Sequence, residues 1–330
     1  MNPFKRITPL ISFTLLAFTA CSVHSGDIQP SYAYITNQGD HTVSVIDTRH
    51  HQVTHTIQTG KAPVGVAVSA KLKRAYITHV EGQGVSIIDS TQHTIIDFIK
   101  VHGSPVGIAL TPDSTILFVA DWFDNRIMAI DTATHNTIHE IKVGNAPAGL
   151  VISPDNKKLY VANRDADEIA EIEIASMTIK QRIKVGKHPF GLALSHHGKL
   201  IASVNVQEDS ISLIDINTLQ QDKIKTGYHP YCAAFNSDDK TLFVTNTQDD
   251  SVSVVDVTQK KVIQTINVGN TPEGISIDHA NNSAYVANWG SNNVSVINTK
   301  TFQVITTIKT GDKSRAFGQF ILQPPSNSPP

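Results

Sequence analysis

The 330-residue chain contains only two cysteines, Cys21 and Cys232, which excludes a multi-disulfide framework. Aromatic residues are scarce at 6%, with two tryptophans. No uninterrupted apolar run reaches the roughly 20 residues that a membrane-spanning helix takes. Neither sign of charge dominates: 27 Lys and Arg stand against 29 Asp and Glu, a net charge of −2, without the basic excess of a general nucleic-acid binder. The chain also lacks a nucleophile elbow, a zinc motif, a P-loop and a dinucleotide fingerprint. What remains is a globular composition, 40% hydrophobic and 17% charged.

Residues 1–20 read as an export signal, with Lys5 and Arg6 ahead of an uncharged apolar stretch from Ile7 to Ala20. Small residues just before Cys21 resemble a bacterial lipobox, which makes Cys21 the expected lipidation site; Phe18 stands where such motifs usually carry leucine. Removing the signal leaves 25 basic and 29 acidic residues, a net charge of −4. Ser22, not aspartate, follows Cys21, which favours the outer membrane under the Gram-negative sorting rule. Residues 21–31 are expected to form a tether, 32–322 the folded domain and 323–330 a disordered tail.

The folded part is a repeat. A Gly-x-x-Pro loop places prolines at 63, 105, 147, 189, 230 and 272, spaced 42, 42, 42, 41 and 42 apart, with Ser314 in the seventh slot. An aromatic-apolar-small-Asn strand end recurs in register, as in Tyr34-Ile35-Thr36-Asn37 and Tyr160-Val161-Ala162-Asn163. A third landmark is an acid or amide closing the next strand, from Asp47 to Asn298. Each period holds four short β-type runs bounded by turn residues, the signature of a propeller blade. The chain starts at a second strand, Ala33–Asn37, and ends with a first strand, Ala316–Leu322, so the last strand can complete the blade that the first strands begin. The fold predicted is all-β: a closed seven-bladed propeller of four-stranded antiparallel blades.

These motifs, with Val252–Asp256, Gly269-Asn270-Thr271-Pro272-Glu273-Gly274 and the closing Arg315–Ile321, resemble the YVTN-repeat β-propeller proteins of bacteria and archaea. The resemblance covers essentially residues 32–322 and implies a surface or periplasmic binding protein. Related propellers include lactonases and the haem-binding domains of nitrite reductases, and the fold alone selects none of these roles.

Departures from the repeat's own consensus point to a site. The residues before the loop prolines are Ala62, Ser104, Ala146, His188, His229, Thr271 and Lys313, and those after are Val64, Val106, Ala148, Phe190, Tyr231, Glu273 and Arg315. Half the ring is small and apolar. The other half offers His188, Phe190, His229, Tyr231, Glu273, Lys313 and Arg315, a candidate ligand site at the channel mouth. His188 and His229 are the candidate ligands for a divalent metal or a haem-like iron. Glu273 with His229 is the candidate acid–base pair. The strand-end asparagines, the closing acids and Cys232 read as structural, and the remaining histidines, among them His51, His93, His196 and His197, as solvated surface.

The function expected is a lipid-anchored, monomeric, non-catalytic scaffold that binds an envelope protein, a glycan or a small ligand at the mouth. It meets the membrane through its anchor only and binds no nucleic acid. Two alternatives stay open. One is a periplasmic propeller for a haem-like or quinone cofactor, which could not be c-type haem attached to this chain because Cys-x-x-Cys-His is missing. The other is a lactonase-like, metal-dependent hydrolase.

Overall fold

The computed structural model describes residues 31–323; Cys21, the signal segment, nearly all of the tether and the tail beyond Gln323 lie outside them. Seven antiparallel sheets are arranged as a closed propeller, one blade per sequence period. Blade 4 shows the pattern: Pro147–Ile152 innermost, then Lys158–Asn163, Glu168–Glu173 and Thr178–Lys184. Among the described residues there is no α-helix; two single 3-10 turns, Arg164–Ala166 and Val206–Glu208, follow strand-end asparagines.

The second and third strands are almost wholly buried, because each blade is covered on both faces by its neighbours. Outermost strands such as Thr94–Lys100 keep one buried position near the end and are otherwise exposed. In the six blades with a loop proline, the register slips by one residue just after it, as between Pro147 and Leu150, a β-bulge that turns the inner strand around the axis. The second residue after the proline then approaches the next blade closely. A Cβ on Gly149 would lie 2.4 Å from the Phe190 carbonyl oxygen, and one on Gly107 1.8 Å from that of Ala148, so glycine is required.

The strand-end motif holds the blades together. Thr36, Thr78 and Thr245 donate their hydroxyls to the carbonyls of Val64, Val106 and Glu273 on the following blade. Thr78 and Thr245 also accept the bulge N–H groups of Gly65 and Cys232. Asn37, Asn205 and Asn246 are fully buried and donate to hydroxyls five and seven residues on. Asp47, Asp89, Asp131 and Asp215 accept backbone N–H groups of their own turns, the Asx turns that the closing acids suggested.

Closure differs in one detail from a single strand over 316–322. Ser314 bridges to Asn37, and Ile321–Leu322 pairs antiparallel with Ala33 and Tyr32. Between them Phe317–Gly318 leaves the blade and pairs in parallel with Gly65 and Val66 of blade 2. Ala316 at φ 54° and Gly318 at φ 109° make the two changes of direction.

Two of the histidines expected at the surface bond strand-end tyrosines across the blade gap instead. His93 is buried, with its Nδ1 3.2 Å from the Tyr34 hydroxyl, and His51 Nδ1 lies 2.8 Å from the Tyr285 hydroxyl. Tyr34 and Tyr285 thus cross the blade gap, and the outer turn of the neighbouring blade supplies a polar partner for each hydroxyl, while the Tyr76 hydroxyl is buried without one.

Candidate functional site

The residues after the loop prolines converge on the axis at the end of the ring that carries those loops, called here the proline face. Val64 and Ala148 are buried on one side. On the other, Phe190 stacks on Tyr231 with centroids 4.2 Å apart, and on Phe317 at 4.9 Å. Arg315 lies over the Tyr231 ring, 5.7 Å from its centroid, and donates to the Tyr231 hydroxyl. Its Nε is 2.5 Å from Glu273 Oε2. These side chains close the channel, so the mouth is a floor and not an opening.

A second ring surrounds this floor, made by the residue that follows each strand-end Asn, His or Asp. Its backbone N–H bonds the carbonyl of the residue before the proline, as Trp122 does to Ser104 and Trp289 to Thr271. Trp122 packs 5.9 Å from Phe190 and lies under the Arg164 guanidinium at 5.5 Å. Lys313 lies over Trp289 at 5.3 Å. Gln38 Oε1 accepts from both Trp289 Nε1 and Arg315, each at 3.4 Å. The proline face thus carries three cation–aromatic pairs.

His188 and His229 stand before their prolines in the left-handed backbone region, φ 51° and 53°. Their N–H groups bond the side chains of Asp167 and Asp209 at 3.0 and 2.9 Å. The same lock recurs in Ala146 to Asn125 and Lys313 to Asn292. A polar residue four positions after each strand-end Asn was the sequence signal for it. His229 Nδ1 lies 3.0 Å from Thr247 Oγ1, while His188 Nδ1 is buried without a partner. The structure does not join Glu273 to His229 as an acid–base pair, because Glu273 is engaged by Arg315.

Burial raises the Glu273 carboxyl above the usual carboxylate range, with the Arg315 charge pulling against it. Burial likewise raises the Tyr231 phenol and the Cys232 thiol. It works against the Arg315 charge too, but Glu273 and Tyr231 more than restore it.

Beneath the floor the inner strands enclose a chamber of about 470 Å3 lined by apolar residues such as Ile108, Leu150, Leu192 and Ile275. It extends to the opposite end of the ring, the far face, where Pro112, Pro154, His196 and His279 belong to its lining. Among the described residues, no group of three or more His, Cys, Asp and Glu side chains could hold a metal ion. The strand-end asparagines are committed within their blades and Glu273 to Arg315, so the donors at the mouth do not fit a Glu, Asn and Asp metal centre.

Two family models match parts of the chain: the lactonase seven-bladed β-propeller over residues 129–226, and the YNCE-like β-propeller over 192–282. The chain is similar to known seven-bladed propellers. No curated protein gives a significant sequence match. Among solved structures, a chain of Kuenenia stuttgartiensis hydrazine synthase matches at 23% identity and TM-score 0.73, covering 81% of this chain and 92% of that one. A functionally unknown protein from Desulfotomaculum acetoxidans matches at 14% and 0.75, covering 87% and 99%. Dihydro-heme d1 dehydrogenase NirN, solved in complex with DHE, matches at 14% and 0.65, covering 84% of this chain and 63% of its own. At these identities the likeness is one of fold.

Proposed function

We propose that the protein is a lipid-anchored envelope propeller, attached through Cys21 and facing the periplasm, that binds its ligand or partner on the proline face without catalysing a reaction. The observation that carries this reading is the set of three cation–aromatic pairs, Arg164 with Trp122, Lys313 with Trp289 and Arg315 with Tyr231, around a rigid floor. Arg315 is paired with Glu273 and Arg164 with Asp165, so the face offers aromatic rings and largely compensated cations, which suit a flat or aromatic ligand, whether on an envelope protein, a glycan or a small molecule. Phe123, 75% exposed, and Tyr228, 64% exposed, add apolar surface. Photo-crosslinking in the native envelope tests the reading, with the reactive group at position 123 and a control at Lys71 on the far face. A product formed from position 123 and lost in Trp122→Ala/Lys313→Ala supports it. A product formed equally from Lys71, or unaffected by the double variant, rejects it.

The likeness to NirN favours a second reading, in which the same face holds a haem-like or quinone cofactor. Phe190, Tyr231 and Phe317 already stack on one another, so such a group would lie across the floor against the tryptophans. An ultraviolet–visible spectrum of the protein purified from its own envelope separates the two readings. A Soret or quinone band selects the cofactor.

A further inference from the structure

The far-face turns repeat a Ser/Thr-Pro-Asp pattern, seen in Thr111-Pro112-Asp113 and Ser153-Pro154-Asp155. Counted from the loop proline, the proline of this turn is the seventh residue on. In blade 5 that slot holds His196, and in blade 7 it holds His279. The ring brings these two slots together across the turn of blade 6: His196 Nε2 and His279 Nε2 are 3.0 Å apart, at the lining of the chamber.

Asp239, from the intervening turn of blade 6, fixes the first of them. Its Oδ1 accepts from the His196 backbone N–H at 2.8 Å and lies 2.9 Å from His196 Nδ1. Its Oδ2 is bonded to His197 in the same way, at 3.0 and 2.7 Å. A carboxylate on Nδ1 keeps the proton there and turns the Nε2 lone pair of His196 toward His279, the tautomer that commonly supports a metal-ligating histidine. His279 Nδ1 is buried and makes no hydrogen bond, so the contact of its ring with a polar partner runs through Nε2 to His196. Two imidazole nitrogens at this distance share one proton in a hydrogen bond, and a metal ion can take that proton's place.

We propose that His196 and His279 form a two-histidine site for a divalent transition metal at the far end of the channel, with Asp239 as the positioning carboxylate. Metal–imidazole bonds of about 2.0–2.1 Å spanning this separation subtend an angle of about 90°, the cis angle of octahedral or tetragonal geometry. That favours Ni2+ or Cu2+ over tetrahedral Zn2+. The remaining positions are left to water or to a donor group of a molecule in the chamber. The site is independent of the proline face and stands or falls separately from the binding role proposed for it.

The test is titration of the purified protein with Cu2+ and Ni2+, followed by calorimetry and, for Cu2+, by electron paramagnetic resonance. One tight Cu2+ per chain is expected, with a two-imidazole signature that falls to one nitrogen, or is lost, in His196→Gln and in His279→Gln. Asp239→Asn should weaken binding 10- to 100-fold. Thermal melts of each variant without metal separate loss of the site from loss of the fold. The proposal is overturned if the tightest site is unchanged in both folded histidine variants, which assigns it to other histidines. It is also overturned if neither metal binds more tightly than about millimolar, which leaves the pair sharing a proton only.

Discussion

Glu273 and Arg315 form an ion pair across the seam where the ring closes, with Oε2 and Nε 2.5 Å apart. Glu273 belongs to blade 7, and Arg315 to the returning chain that completes blade 1. The same seam carries the bond from Gly274 N–H to the Arg315 carbonyl, so backbone and side chain close the ring together. Removing one partner leaves a buried charge uncompensated, which costs about 3–5 kcal/mol. Arg315→Ala should therefore lower the melting temperature by several degrees, and Glu273→Leu/Arg315→Leu should recover part of that loss. Equal melting temperatures for wild type and Arg315→Ala would show that the pair contributes nothing to closure.

His79 makes stability depend on pH. It replaces the strand-end asparagine of blade 2, is fully buried, and contacts Ser86 Oγ at 2.8 Å. Burial lowers its pKa from 6.5 to about 4. As pH falls below about 6.5 the unfolded chain takes up the proton and folded His79 does not, so stability is lost progressively down to about pH 4, by up to about 3 kcal/mol. An asparagine can reach the serine seven residues on, as Asn246 does Ser253. His79→Asn is expected to match wild type at pH 8 and to exceed it at pH 5 in denaturant titrations. Parallel pH curves would refute the assignment.

Thr245 ties Cys232 N–H and the Glu273 carbonyl at once, at 3.0 and 2.9 Å. Thr245→Val keeps the shape and leaves both groups without this partner. A loss of about 1–3 kcal/mol is expected by urea unfolding. A change below half a kcal/mol would mean that the staple between blades is replaceable.

Cys232 is buried in the small-residue slot, and burial raises its thiol pKa. A thiol-specific reagent should leave it unmodified in the native protein and label it fully in guanidinium. Rapid native labelling would show that the channel opens to this depth.

Much of the fold was legible because the repeat is its own control. The spacing of the prolines gave seven blades, and the strand-end motif gave the register of the second strand. The same comparison singled out Phe190, Tyr231, Glu273 and Arg315, which the structure brings together at one end of the axis. It did not show that they close that end, because the stack depends on Phe317, which reaches the axis only where the closing strand is interrupted. His196 shows the other limit. Read singly it is a turn residue; read at its slot it shares a position with His279, 83 residues away.

The sequence by itself determined the class of fold, the number of blades and the small residues that the crowded inner strands require, since all of these follow from periodicity and local sterics. Only the tertiary structure decided which end of the channel is closed, that Glu273 meets Arg315 and not His229, and that His196 meets His279. Those contacts join different blades, and their distances are set by the curvature of the ring and by the path of the chain across its seam.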